Sequence, residues 1–208
     1  MPFLPEAGLG AFPQSRHKFI ILDRDGVINI DRDDYIKTVD EWVPIPGSLE
    51  AISRLTKAGY TVGVATNQSG LAKGYFTLET LNAMHNKLNA LLQKIGGKID
   101  AIAYCPHNDT DNCNCRKPRP GLILSLESQL AIPAKHAFLV GDKKSDLLAS
   151  IAVGSQPILV RTGKGTATEN ALNRDPLFEN IPVFENLAQF VDTLLRTTTR
   201  SIDSDKNL

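Results

Sequence analysis

The chain has 208 residues, about one domain's worth with some excess, and its 42% apolar content is enough for a sizeable core. Lys and Arg together number 23 and so do Asp and Glu, which leaves no basic field for nucleic acid and no acidic tail. The longest apolar runs fall far short of the ~18 residues needed to cross a bilayer, and the opening MPFLPEAGLG lacks the basic end and apolar stretch of a signal peptide. The expectation is a cytoplasmic monomer with no membrane or nucleic-acid partner.

In chain order, residues 1–17 read as an extension. Phe19-Ile20-Ile21-Leu22 is a continuous apolar run ending in acidic sequence, as a buried parallel strand looks where it delivers residues to its carboxyl edge. Leu49, Ile52 and Leu55 recur at helical spacing after Pro46-Gly47-Ser48, and Gly59 closes that helix. Tyr60–Ala65 reads as a second strand. Thr77 caps a long helix carrying Leu81, Met84, Leu88, Leu91, Leu92 and Ile95, which ends at Gly96-Gly97. Ile99–Tyr104 is a third strand, Gly121–Leu130 a helix, Ala137–Val140 a fourth strand and Pro157–Val160 a fifth. Leu187–Leu195 reads as a last helix, with residues 198–208 a polar tail. This alternation predicts an α/β domain over 18–197, a doubly wound parallel sheet whose ligands sit at the carboxyl ends of the strands.

The strand ends carry the chemistry. The first runs into Asp23-Arg24-Asp25-Gly26, whose two carboxylates share one side of an extended chain. The second runs into Thr66-Asn67-Gln68-Ser69-Gly70, with a hydroxyl and backbone N–H groups to offer an anion. Lys117 follows Arg116, and the fourth strand ends in Gly141-Asp142-Lys143-Lys144-Ser145-Asp146. Each piece alone is also what an ordinary polar turn looks like. Between them, Cys105, His107, Cys113 and Cys115 form C-x-H-x5-C-x-C, four thiol and imidazole ligands in a polar loop with no other means of ordering itself. That set suits a closed, structural Zn²⁺ site, holding Arg116 and Lys117 in place.

Together, Asp23-x-Asp25, Thr66, Lys117 and Gly141-Asp142 resemble the four motifs of the haloacid dehalogenase (HAD) superfamily of phosphohydrolases, over about residues 19–165. The resemblance implies that Asp23 attacks phosphorus to give an aspartyl-phosphate, and that Asp25 first protonates the leaving oxygen and then activates water. It implies Mg²⁺ held by Asp23, Asp142 and the backbone carbonyl of Asp25, with Thr66 and Lys117 on the phosphoryl oxygens. Asp146 either supports that metal or caps the next helix. Only about fifty residues separate Thr66 from Lys117, too few for a large cap domain. Selectivity therefore falls to rim residues: Asp31, Arg32, Asp33, Asp34, Asn67, Gln68, Ser69, Arg116 and Lys143.

The zinc loop running into Cys115-Arg116-Lys117-Pro118 is similar to two branches, the heptose 1,7-bisphosphate phosphatases of lipopolysaccharide precursor synthesis and the histidinol-phosphate phosphatases. The chain matches the heptose branch more widely, through Asp23–Asn29, Thr66–Ala72 and Arg161-Thr162-Gly163, so a phosphorylated sugar is the expected substrate. The rivals are histidinol phosphate and, outside catalysis, a zinc-ordered interaction module on an inactive scaffold. The lone His17, His85 and His136 are read as structural or exposed.

Overall fold

A computed structural model describes residues 18–205, so the expected extension at 1–17 lies outside the described residues. Six strands form one parallel sheet: β1 (Phe19–Leu22), β2 (Thr61–Asn67), β3 (Ala101–Cys105), β4 (Phe138–Gly141), β5 (Gln156–Val160) and β6 (Val183–Phe184). Their order is β3-β2-β1-β4-β5-β6, with parallel pairing throughout. The helices are α1 (Ser48–Lys57), α2 (Leu78–Lys94), α3 (Gly121–Leu130), α4 (Lys144–Ala152), α5 (Gly165–Leu172) and α6 (Leu187–Asp205).

Alternation along β1 divides the core. Ile20 and Leu22 face a cluster with Ile52, Leu55, Met84, Leu88, Phe190 and Val191 from α1, α2 and α6. Phe19 and Ile21 face the other side, against Leu122, Ile123 and Leu126 of α3 and Ala149 of α4. Because both faces of β1 are covered, its four residues must all be apolar, each contributing about 1.5–3 kcal/mol on burial. Thr77 caps α2 as expected, its side chain accepting the Thr80 N–H at 3.3 Å. No helix among the described residues is long and apolar enough to cross a membrane.

The sheet differs from the expectation at its far edge. β6 adds a sixth strand of two residues, and α4 and α5 fill the connections on either side of β5. The last helix continues past Leu195 to Asp205, so the expected polar tail begins inside it; residues 206–208 lie outside the described residues.

For the site, one consequence of this order matters most. The chain winds outward from β1 in one direction through β2 and β3, and in the other through β4, β5 and β6. The crevice at the carboxyl ends of β1 and β4 is therefore the switch point, where loops diverge and leave room for a ligand. Asp23 and Asp142 directly follow those two strands.

Candidate active site

Asp23 leaves β1 with its N–H bonded to the Val140 carbonyl of β4 at 2.9 Å, so the sheet itself fixes its backbone. Its Oδ1 accepts the Arg24 N–H at 2.8 Å and lies 2.9 Å from Lys117 Nζ. Its Oδ2 has no hydrogen-bond partner among the described residues. Burial pushes the Asp23 carboxyl up to about 6, against the opposing pull of Lys117 and with help from neighbouring Asp146.

Lys117 is buried; its Nζ donates to the Ala65 carbonyl at 2.6 Å and forms ion pairs with Asp146 Oδ1 at 2.7 Å and Asp23 Oδ1 at 2.9 Å. Burial alone would lower its pKa, but Asp146 and Asp23 raise it, so it stays charged. Its backbone is held as firmly, because Asn67 donates to the Lys117 carbonyl and accepts the Lys117 N–H, both at 3.1 Å. Asp146 does two tasks at once: one oxygen pairs with Lys117 and the other accepts the Lys143 N–H at 3.0 Å, capping α4.

Asp142 is fully buried between two glycines. Its Oδ2 accepts the Lys164 N–H at 2.7 Å, while Oδ1 has no hydrogen bond, its nearest cation being Lys143 Nζ at 3.8 Å. Burial, opposed by Lys143 and reinforced by Asp23, pushes its carboxyl up to about 8. Gly26 and Gly163 have φ of +92° and +59°, and a Cβ on either would stand 2.3 Å from Asp142 Oδ2. Both positions need the open side of glycine and its left-handed backbone. Ligand atoms of Asp23, Asp142 and Asp146 lie within 4.8 Å of one another, close enough to share a cation.

Asp25 sits one side-chain step away with every lone pair in its carboxylate plane taken. Oδ1 accepts Arg24 Nε and Asn29 Nδ2, both at 2.9 Å; Oδ2 accepts Arg24 Nη2 at 3.0 Å and Gln68 Nε2 at 2.8 Å. Burial raises its pKa, but the Arg24 charge and these hydrogen bonds outweigh burial and hold it below the usual carboxylate range. Gln68 also donates to Thr66 Oγ1 at 2.8 Å, which leaves the buried Thr66 hydroxyl proton free for an anion.

Above these groups opens a cleft of about 620 Å³, within the range of small-ligand sites. Its lining includes Asp31, Arg32, Asp33, Asn67, Gln68, Ser69, Arg116 and Lys143. Asp34 is not part of it; its carboxylate turns to Arg32 at 3.0 Å and Lys37 at 2.8 Å on the outer side of the loop. Cations at the rim carry acidic partners: Lys143 with Asp31 at 3.1 Å, Arg116 with Asp109, and Lys164 with Asp33.

The four cysteine and histidine ligand atoms converge at the end of β3. Neighbouring atoms are 3.2–3.6 Å apart, from Cys115 Sγ to His107 Nδ1 and from Cys105 Sγ to Cys113 Sγ. A metal with ligands at 2.0–2.3 Å in a tetrahedron has ligand–ligand edges of roughly 3.3–3.8 Å, so the cluster is close to the right size for one ion. The intervening loop forms a short 3₁₀ turn, Asp109–Asp111, in which Asp111 accepts the Asn108 N–H at 2.8 Å. Arg119 donates to the Cys113 carbonyl at 2.6 Å from the far side.

A HAD-hydrolase-like family model matches residues 114–189. The chain is 50% identical to the D-glycero-β-D-manno-heptose-1,7-bisphosphate 7-phosphatase of Neisseria meningitidis serogroup B, covering 88% of this chain and 97% of that one. It is 51% identical to the protein of the same name from Pseudomonas putida, covering 86% and 99%. The chain belongs to the HAD phosphatases, on their heptose-bisphosphate branch. The solved D,D-heptose 1,7-bisphosphate phosphatase from B. bronchiseptica, complexed with magnesium and phosphate, is 47% identical with a TM-score of 0.81, covering 86% of this chain and 98% of that one.

Some of this HAD site was not evident in the sequence. Arg24 stands between two motif carboxylates with no role in the motif, yet its guanidinium makes two of the four bonds to Asp25. Lys164 follows β5 and, next to Gly163 of the Arg161-Thr162-Gly163 match, closes over Asp142 from the next loop. Its signal is the glycine-bearing turn after a parallel strand, where such folds place ligand-facing backbone.

Proposed function

We propose that the chain removes the 7-phosphate of D-glycero-D-manno-heptose 1,7-bisphosphate through an aspartyl-phosphate on Asp23, in lipopolysaccharide precursor synthesis. The observation that carries the chemistry is the asymmetry of Asp23, with Oδ1 pinned by Arg24 and Lys117 and Oδ2 unpaired. A nucleophile needs one oxygen oriented and the other open to the in-line approach. The names of relatives at about 50% identity support the sugar substrate.

In this reading Asp23 Oδ2 attacks phosphorus as the ester oxygen departs with a proton from Asp25. A dianionic phosphate placed beside Asp25 favours its protonated form by like-charge repulsion, with Gln68 Nε2 yielding its place on Oδ2 to the proton. In the second half-reaction Asp25 takes a proton from the attacking water, which uses the carboxylate form seen here. Thr66 donates its hydroxyl to a phosphoryl oxygen, and Lys117 offsets the charge on Asp23 throughout. Asp31, Arg32, Asp33, Asn67, Gln68, Ser69, Arg116 and Lys143 present donors and acceptors to the sugar and its second phosphate, with Asp34 holding Arg32.

The residues fit a divalent cation: Asp142 Oδ1 is buried without a hydrogen bond, within 4.8 Å of a carboxylate oxygen of Asp23. Asp23, Asp142 and the Asp25 carbonyl would hold Mg²⁺, which when bound neutralises charge between carboxylate and phosphate. The B. bronchiseptica structure, with its magnesium and phosphate, supports the same ion here. Cys105, His107, Cys113 and Cys115 would hold Zn²⁺, with no position left for substrate, so its part is to order the loop leading to Arg116 and Lys117.

The test is phosphate release with Mg²⁺, comparing kcat/KM for the heptose bisphosphate and for histidinol phosphate. A preference of about a hundredfold for the heptose, near 2.7 kcal/mol, is expected. Preference for histidinol phosphate would overturn the substrate, and no release from either would overturn the activity.

A further inference from the structure

The Arg24 side chain is 1% exposed, although it carries a full charge. Its Nε and Nη2 form a side-on fork to the two oxygens of Asp25, the geometry that best fixes the plane of a carboxylate. A long side chain does not hold its own angle, however, and something must hold the fork. The remaining nitrogen, Nη1, lies 3.3 Å from Nε2 of His85, which reaches across from α2, sixty-one residues along the chain. A guanidinium has no lone pair to offer, so Nη1 donates and Nε2 accepts, which requires a neutral ring with its proton on Nδ1. The surroundings favour that form: burial, and then the Arg24 charge, bring the His85 pKa down to about 4 despite the pull of Asp25.

We propose that His85 is a positioning residue for the proton donor: the acceptor nitrogen of its ring fixes the Arg24 guanidinium, and Arg24 in turn fixes the carboxyl plane of Asp25. The ring is borne by a helix whose neighbours Met84 and Leu88 are fully buried in the core, and the Tyr104 ring of β3 lies 6.4 Å away. A reference point on such an element holds a reacting group more closely than a loop does. His85 itself touches neither nucleophile nor cleft, so it moves no proton in the reaction. The proposal rests on Asp25 being the donor assigned above.

The reading separates from a purely structural role through the leaving group. An alkoxide needs a proton as its P–O bond breaks, whereas p-nitrophenolate leaves without one. kcat/KM reports the step in which that bond breaks. His85→Leu removes the acceptor with little change in volume. The expected result is a fall of about tenfold or more in kcat/KM for the heptose bisphosphate, with p-nitrophenyl phosphate within about threefold of the unaltered chain. His85→Gln, whose amide oxygen accepts a hydrogen bond, is expected to restore most of the loss. If His85→Leu does not fold, His85→Phe keeps a ring in place without the acceptor and answers the same question. Equal losses on both esters, no loss on either, or no rescue by Gln would overturn the positioning role. Absence of release by the unaltered chain from both esters would instead overturn the phosphatase reading, and this proposal with it.

Discussion

Replacing Gly26 by alanine asks whether backbone contact places the Asp142 carboxylate. A Cβ on Gly26 would stand 2.3 Å from Asp142 Oδ2, 2.7 Å from its Cγ and 3.2 Å from the Gly163 Cα. A carbon–oxygen contact relaxes at roughly 3.3 Å, so the carboxylate must retreat by about 1 Å. It has little room to do so, since Lys164 N–H holds the same oxygen at 2.7 Å. The φ of +92° adds about 1–2 kcal/mol of strain for a residue with a side chain. A displacement of about 1 Å in a reacting group costs on the order of a hundredfold in rate, near 2.7 kcal/mol. We therefore expect kcat/KM to fall about a hundredfold and the Mg²⁺ concentration for half-maximal activity to rise. Melting should drop by only roughly 2–8 °C, which about 1–2 kcal/mol produces in a chain of this size. Phosphate release titrated against Mg²⁺, beside a thermal melt, reads all three. An alanine variant with unaltered activity and unaltered Mg²⁺ dependence would refute the claim that Gly26 places Asp142.

Asp23→Asn should abolish turnover while melting as a folded protein, because an amide cannot form the acyl phosphate; activity above about a thousandth of the original would remove Asp23 as nucleophile. Cys113→Ser should lose the loop metal, seen by metal analysis of the purified protein, and lower the melting temperature. An unchanged zinc content would remove Cys113 from the ligand set.

The sequence was legible where one residue type meets one physical requirement. A short apolar run that ends in acidic residues suits a strand covered on both faces, and Phe19–Leu22 is one. Thr77 before a 3.6-period apolar stretch marks a helix start, and its side chain makes the expected bond. The paired carboxylates and the Gly141-Asp142 turn lie together because both follow adjacent central strands. What stayed hidden depends on contacts between distant loops. The single polar atom that matters on His85 is on the buried side of an otherwise ordinary amphipathic helix, and pattern alone does not say what it meets. Lys164 reaches Asp142 only because β5 is next to β4 in the sheet. β6 has just two residues, too short to show any period, and α6 outlasts its apolar stripe because a helix once started extends at little cost.

Three cations around the cleft already carry acidic partners: Asp31 answers Lys143, Asp33 answers Lys164, and Asp109 answers Arg116. A phosphate that reaches one of these cations therefore changes places with a carboxylate instead of filling an empty charge site. Such a surface discriminates by count of charge. At such a cation a dianionic phosphate gains more from the exchange than a monoanion does, and a neutral sugar gains nothing.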